Sequence, residues 1–148
     1  MIFARRKLMR SIDAERVRAA IVEAERRTSG EIRVSVAPFF WGSVRKVAER
    51  AFERLGMART AERNGVLFFI VPSRRRFVVL GDQGIHAKVG DEFWEKVVAA
   101  MAAEFRSRRF TDGLVKGIET VGQELATHFP YDPATDKNEL PDDVDFHS

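Results

Sequence analysis

Six polar residues between positions 31 and 91 offer this sequence its chemistry: Glu31, Arg63, Asn64, Asp82, His86 and Asp91. Carboxylate and amide oxygens are the ligands that a hard cation takes, so Glu31, Asn64, Asp82 and Asp91 suit calcium or magnesium. The same acids suit a metal-bound water for hydrolysis. In that scheme Asp82 and Asp91 hold the cation, Glu31 or His86 handles protons, and Arg63 binds a phosphoryl group. A purely local reading covers the same residues. Asp91 caps a helix, Asp82 shapes a glycine turn, and Asn64 takes the positive φ of a turn before a strand. His86, His128 and His147 have no zinc spacing; His86 stands out because it lies between Asp82 and Asp91.

These residues converge only if particular elements carry them. The most apolar run is Val66 to Val71, which has no charge and reads as a central strand covered on both faces. Phe77 to Leu80 forms a second strand, after a turn of Pro72, Ser73 and three arginines. Residues 31–37 alternate, with Ile32, Val34 and Val36 on one face and Glu31, Arg33 and Ser35 on the other, as in a strand near a sheet edge. A helix over 11–29 precedes it, with Ser11 or Asp13 as cap and Gly30 as terminator. A helix from Ser43 to Leu55 joins the first two strands, so they should be parallel with a right-handed crossover, and the third should run antiparallel to the second. The starts of the first two strands and the end of the third then share one edge of the sheet. That edge brings Glu31, Arg63, Asn64 and Asp82 together, and Asp91 as well if the loop 81–90 is compact.

Beyond that loop, Asp91 caps a helix carrying Phe93, Val97, Met101 and Phe105. Thr111 or Asp112 caps a last one, lined by Leu114, Ile118, Val121, Leu125 and Phe129. Gly117 and Gly122 inside it ask for a close helix-to-sheet contact. Pro38-Phe39-Phe40-Trp41-Gly42 is an aromatic loop, either a binding surface or a plug over the end of the sheet.

The chain has 148 residues and no cysteine, which bounds it to one domain and excludes disulfides, thiolate metal sites and a cysteine nucleophile. Residues 132–148 hold six acids against Lys137, leaving 16 acids and 24 bases, a balance of +8, on residues 1–131. A basic body with an acidic tail suits anion or nucleic-acid binding, but the bases share helix faces with acids and are not interleaved with aromatics, so nucleic acid is not the expected partner. The expected organisation is a basic extension over 1–10, a domain over 11–130 and an irregular tail over 131–148, pinned by Leu140, Val144 and Phe146. No window approaches the length of a membrane helix and no signal peptide is seen, so a cytoplasmic protein is expected. There is no P-loop, dinucleotide fingerprint or nucleophile elbow.

The residues Thr28-Ser-Gly-Glu-Ile-Arg-Val34, Asn64-Gly-Val-Leu-Phe-Phe69, Arg75-Arg-Phe-Val-Val-Leu-Gly81, Asp91 and Phe110-Thr-Asp-Gly-Leu-Val-Lys-Gly-Ile118 resemble the TPM domain family in order and spacing. The segment Asn138 to Phe146 resembles the ending of its small stand-alone bacterial members. The resemblance implies an α/β/α sandwich around a mixed sheet of about four strands. It also implies divalent-metal binding in some members and acid phosphatase activity in plant ones. By position, Asn64 matches the Asn-Gly before the central strand, and Asp91 matches an acid after the glycine loop. Two departures stand out. The family often has an aspartate where this chain has Arg63, and its Gly-aromatic-Gly loop is replaced by Gly81-Asp82-Gln83-Gly84. The function expected is a metal-responsive interaction module with a protein partner and no organic cofactor. The alternatives are a metal-dependent phosphohydrolase and, more weakly, an anion-binding body.

Overall fold

The computed structural model of the chain describes residues 12–134 and 144–146. The order is α1 (Ala14–Glu25), β1 (Glu31–Val36), α2 (Val44–Arg54), a 3-10 turn (Met57–Arg59), β2 (Gly65–Val71), a second 3-10 turn (Pro72–Arg74), β3 (Arg76–Gly81), α3 (Gln83–Arg106), α4 (Phe110–His128) and β4 (Asp145–Phe146). The strands form one mixed sheet in the order β3-β2-β1-β4. β1 and β2 are parallel, from Glu31 opposite Gly65 to Val36 opposite Ile70, and β3 runs antiparallel to β2.

The layers follow from strand alternation. Ile32, Val34, Val36, Val66, Phe68 and Ile70 face one core, shared with α1, α3 and α4. Leu67, Phe69 and Val71 face the other, shared with α2 and Met57. All seven residues of β2 are buried, which is why its sequence carries no alternation. The result is the α/β/α sandwich that the sequence implies.

Several local expectations need correction. The loop foreseen over 81–90 is helical: α3 begins at Gln83 and breaks at Gly90, whose φ of 74° and ψ of 177° are not helical. Asp82 caps the first half of α3, accepting from Gln83 N at 2.8 Å, and the second half starts after Gly90, at Asp91, where the sequence expects a helix to begin. Thr111 and Asp112 do not cap α4, which starts at Phe110. Thr111 Oγ1 accepts from Asp13 N at 2.9 Å, and Asp112 pairs with Arg16 at 2.9 Å, so both hold the start of α1. Asp13 and Ser43 cap α1 and α2 as expected. The α1 helix ends at Glu25, before Gly30. A Cβ on Gly30 would stand 2.8 Å from Leu125 Cδ2, so that position demands a close approach rather than a turn. Gly117 does meet the sheet, at Phe68, but Gly122 meets Ala24 of α1 instead.

β1 lies next to the edge of the sheet, as expected: the two-residue edge strand β4 pairs with it at Ser35 and Val36. Val144 and Phe146 pack on the larger core, so this part of the tail is pinned. Its polar anchor is Asp145, which accepts from Ser35 Oγ at 2.8 Å and pairs with Arg54 at 2.8 Å. Burial alone would raise the pKa of Asp145, but the hydrogen bonds from Arg54 and Ser35, with the charges of Arg54 and Arg33, hold the carboxyl below its ordinary value. The basic extension, Ser11, Leu140 and His147 lie outside the described residues.

Candidate functional site

The starts of β1 and β2 and the end of β3 meet at one edge of the sheet, as their directions require. Asp82 N donates to Gly65 O at 2.9 Å, Gly84 N to Arg63 O at 2.8 Å, and Glu31 N to Asn64 O at 3.4 Å. Glu31, Arg63, Asn64 and Asp82 are therefore backbone neighbours. The short turn before β2 is set by Thr60, whose buried Oγ1 accepts from Asn64 N at 3.1 Å. Arg63 takes the positive φ of this turn, 52°, where Asn64 was expected to. Gly84 lets α3 press against it, since a Cβ there would stand 2.1 Å from Glu62 O.

Asp82 is nearly buried and spends both oxygens. Arg63 Nε donates to Oδ2 at 2.6 Å, and Arg63 Nη2 donates to Oδ1 at 2.9 Å, where the helix N–H of Gln83 also arrives. The hydrogen bond from Arg63 to Asp82 is the main cause that raises the guanidinium pKa above its ordinary value. The Asp82 side chain is 7% exposed and that of Arg63 is 41% exposed, so the arginine reaches water while the acid does not.

Asn64 is 1% exposed. Its Nδ2 donates to Ser29 Oγ at 3.3 Å and to Glu62 Oε2 at 3.4 Å, while Ser29 Oγ donates to Glu62 Oε2 at 2.6 Å. Its Oδ1 is buried and accepts no hydrogen bond. Glu62 was not foreseen as part of the site. Its only sequence signal is its place in the short turn before Asn64. Glu31 is buried at the start of β1.

Asp91 and His86 stand apart from this cluster in environment. The Asp91 side chain is 89% exposed and lies 3.6 Å from His86 Nε2. Trp94 Nε1 donates to His86 Nδ1 at 3.0 Å, so the imidazole ties the two halves of α3 across the break at Gly90. Among the described residues, no three His, Asp or Glu side chains gather as a cation site. A groove of about 540 Å³ between α1 and α4, lined by Ala20, Ala24, Gly122 and Ala126, contains none of the six residues. Among the described residues no helix is long and apolar enough to cross a membrane.

Comparison with known proteins fits this architecture. The model of the TPM domain matches residues 3–124. This chain belongs to the TPM domain family. The TPM chain is similar to the BA42 protein of the psychrophilic bacterium Bizionia argentinensis, known by NMR. The two share 37% identity over 91% of this chain and 94% of that one, with a TM-score of 0.84. The N-terminal domain of a protein from P. gingivalis aligns at 20% identity over 77% of this chain and 76% of that one, with a TM-score of 0.62. The N-terminal domain of cg2496 from Corynebacterium glutamicum aligns at 16% identity over 75% and 70%, with a TM-score of 0.59. These last two show the fold alone. No curated protein matches the chain.

Proposed function

We propose that this TPM domain is a binding module without catalysis, responsive to a divalent cation, in which Arg63 holds the acid that the cation would take. The observation that carries this reading is the Asn64 carbonyl oxygen, buried with no donor, on the same sheet edge as the Arg63–Asp82 pair. A buried acceptor left unmatched costs free energy, about 1–3 kcal/mol, and a hard cation is one group that relieves it.

The residues present fit such an ion only with Arg63 displaced. Asp82 is otherwise fully engaged, and the fractional exposure of Arg63 gives its side chain a route into water. Asn64 and Asp82 would then supply oxygens to the ion, and Glu31, buried at the start of β1 on the same edge, is the further candidate. A bound calcium or magnesium would supply positive charge to these oxygens in place of the guanidinium. Asp91 takes no part, since its carboxylate faces solvent and His86.

Calorimetric titration with calcium and magnesium tests the reading on two proteins. Arg63→Asp places at position 63 the residue that the family often carries, and aspartate tolerates the positive φ there. The variant is expected to bind at least tenfold more tightly than the parent chain, and neither protein is expected to turn over an aryl phosphate above background. If neither protein gives heat or a shift in melting temperature with either ion, the reading is wrong. Turnover that disappears with Asp82→Asn would move the site to a phosphohydrolase.

A further inference from the structure

The opposite end of the sheet carries a different surface. The loop after β1 and the turn between β2 and β3 meet there, and their aromatic residues divide their roles. Phe40 turns inward, packs on the smaller core and lies 6.4 Å from the Phe69 ring. Phe39 and Trp41 turn outward, 50% and 88% exposed, with their rings edge to face at 5.0 Å. Phe40 is the plug expected of this loop, while Phe39 and Trp41 stand in solvent.

The tip is held in shape. Arg74 stacks its guanidinium over Phe40 at 5.3 Å and donates to Phe40 O at 3.2 Å and Gly42 O at 2.8 Å. Arg75 and Arg76 follow, both exposed, and Arg45 and Lys46 in the first turn of α2 are exposed as well. No carboxylate occurs in residues 37–48 or 71–81. The nearest acid along the chain from Trp41, Glu49, pairs with Arg45 at 3.4 Å. Asp145 of β4 lies at this end of the sheet as well, but it is engaged by Arg54 and Ser35. So two exposed apolar rings stand beside Arg74, Arg75, Arg76 and Lys46, a local excess of positive charge among the described residues, at the far end of the sheet from Glu31, Glu62 and Asp82.

We propose that this tip docks the protein on an anionic lipid bilayer. Tryptophan and phenylalanine side chains settle at the boundary between headgroups and acyl chains. Arginine and lysine beside them meet lipid phosphates, each contributing about a fivefold factor in partition. A protruding tip suits a plane. A single-stranded nucleic acid needs flat faces on which successive bases stack along a basic groove, whereas Phe39 and Trp41 meet at 90°.

Flotation of the full chain with vesicles tests this, using phosphatidylcholine alone and phosphatidylcholine mixed with phosphatidylglycerol at low salt. The protein is expected to float with the anionic vesicles only and to come off as salt is raised. Phe39→Ser/Trp41→Ser should weaken the association at least tenfold, and Arg75→Gln/Arg76→Gln by about 25-fold, with circular dichroism unchanged in both. The proposal fails if the parent chain ignores anionic vesicles. It also fails if the Phe39→Ser/Trp41→Ser variant floats as well as the parent, since a diffuse basic surface would then suffice. Tighter binding to a single-stranded oligonucleotide, lost with the same aromatic substitutions, would assign the tip to nucleic acid and overturn the proposal.

Discussion

Arg63 embraces Asp82 from a left-handed backbone position, so one nearly buried carboxylate both starts α3 and neutralises the turn before β2. Two elements far apart in sequence are thereby locked at the edge of the sheet. Asp82 has two separable tasks, and substitution distinguishes them. Asp82→Ala removes the helix cap and the partner of Arg63 together, and should cost about 2 kcal/mol. Asp82→Asn keeps an acceptor for Gln83 N and should cost about half as much. Urea denaturation measures both; equal losses would show that the cap contributes nothing.

Gly84 is the second device at this edge. A Cβ there would stand 2.1 Å from Glu62 O and 2.6 Å from Arg63 O, both backbone atoms that cannot rotate away. Gly84→Ala should therefore destabilise the fold by about 2–3 kcal/mol, the range of an overpacked site. It should also displace the turn that holds Glu62 and Asn64. A midpoint in urea within experimental error of the parent would contradict this account.

The sequence made the core legible and the edge only partly so. The unbroken run of β2 and the alternation of β1 gave both faces of the sheet, because burial acts on each residue separately and leaves a periodic trace. Of the glycines around α3, Gly90 does mark a break, with φ of 74° and ψ of 177°. Gly84 misled: it lies inside the helix, and it is a glycine because another segment's backbone presses on it, a contact that no local pattern records. The same holds for Thr111 and Asp112, whose hydrogen-bonding capacity goes to α1 instead of to their own helix. Convergence of Asn64 and Asp82 followed from strand direction, but the partner that Asp82 chose did not. The Arg63 side chain is long enough to serve solvent, a ligand or a neighbouring acid.

The docking of β4 should depend on pH through Asp145. Its folded pKa lies below the ordinary value of 3.8, so the carboxylate contributes stability that is fully present above 3.8 and is lost as pH falls through the lowered folded value. Acidification from neutral should leave the pairing of Ser35 and Val36 with Asp145 and Phe146 intact until below pH 3.8, then release it. Hydrogen exchange at these residues, followed against pH, reports the transition. Asp145→Asn should remove that step and weaken the pairing at neutral pH; a step of unchanged size in the variant would assign it to another group.

The last relationship to test is the chain from Trp94 through His86 to Asp91. The indole N–H can only donate, so the Nδ1 atom of His86 that receives it at 3.0 Å must be the unprotonated one. Neutral His86 is then fixed with its proton on Nε2, facing Asp91 at 3.6 Å. In ¹⁵N spectra of the neutral imidazole, Nδ1 should carry the signature of a bare nitrogen and Nε2 that of a protonated one. Trp94→Phe removes the donor, and the spectrum should move towards a mixture of tautomers. If the parent protein already shows that mixture, the imidazole is not held by Trp94, and the two halves of α3 are joined at Gly90 by packing alone.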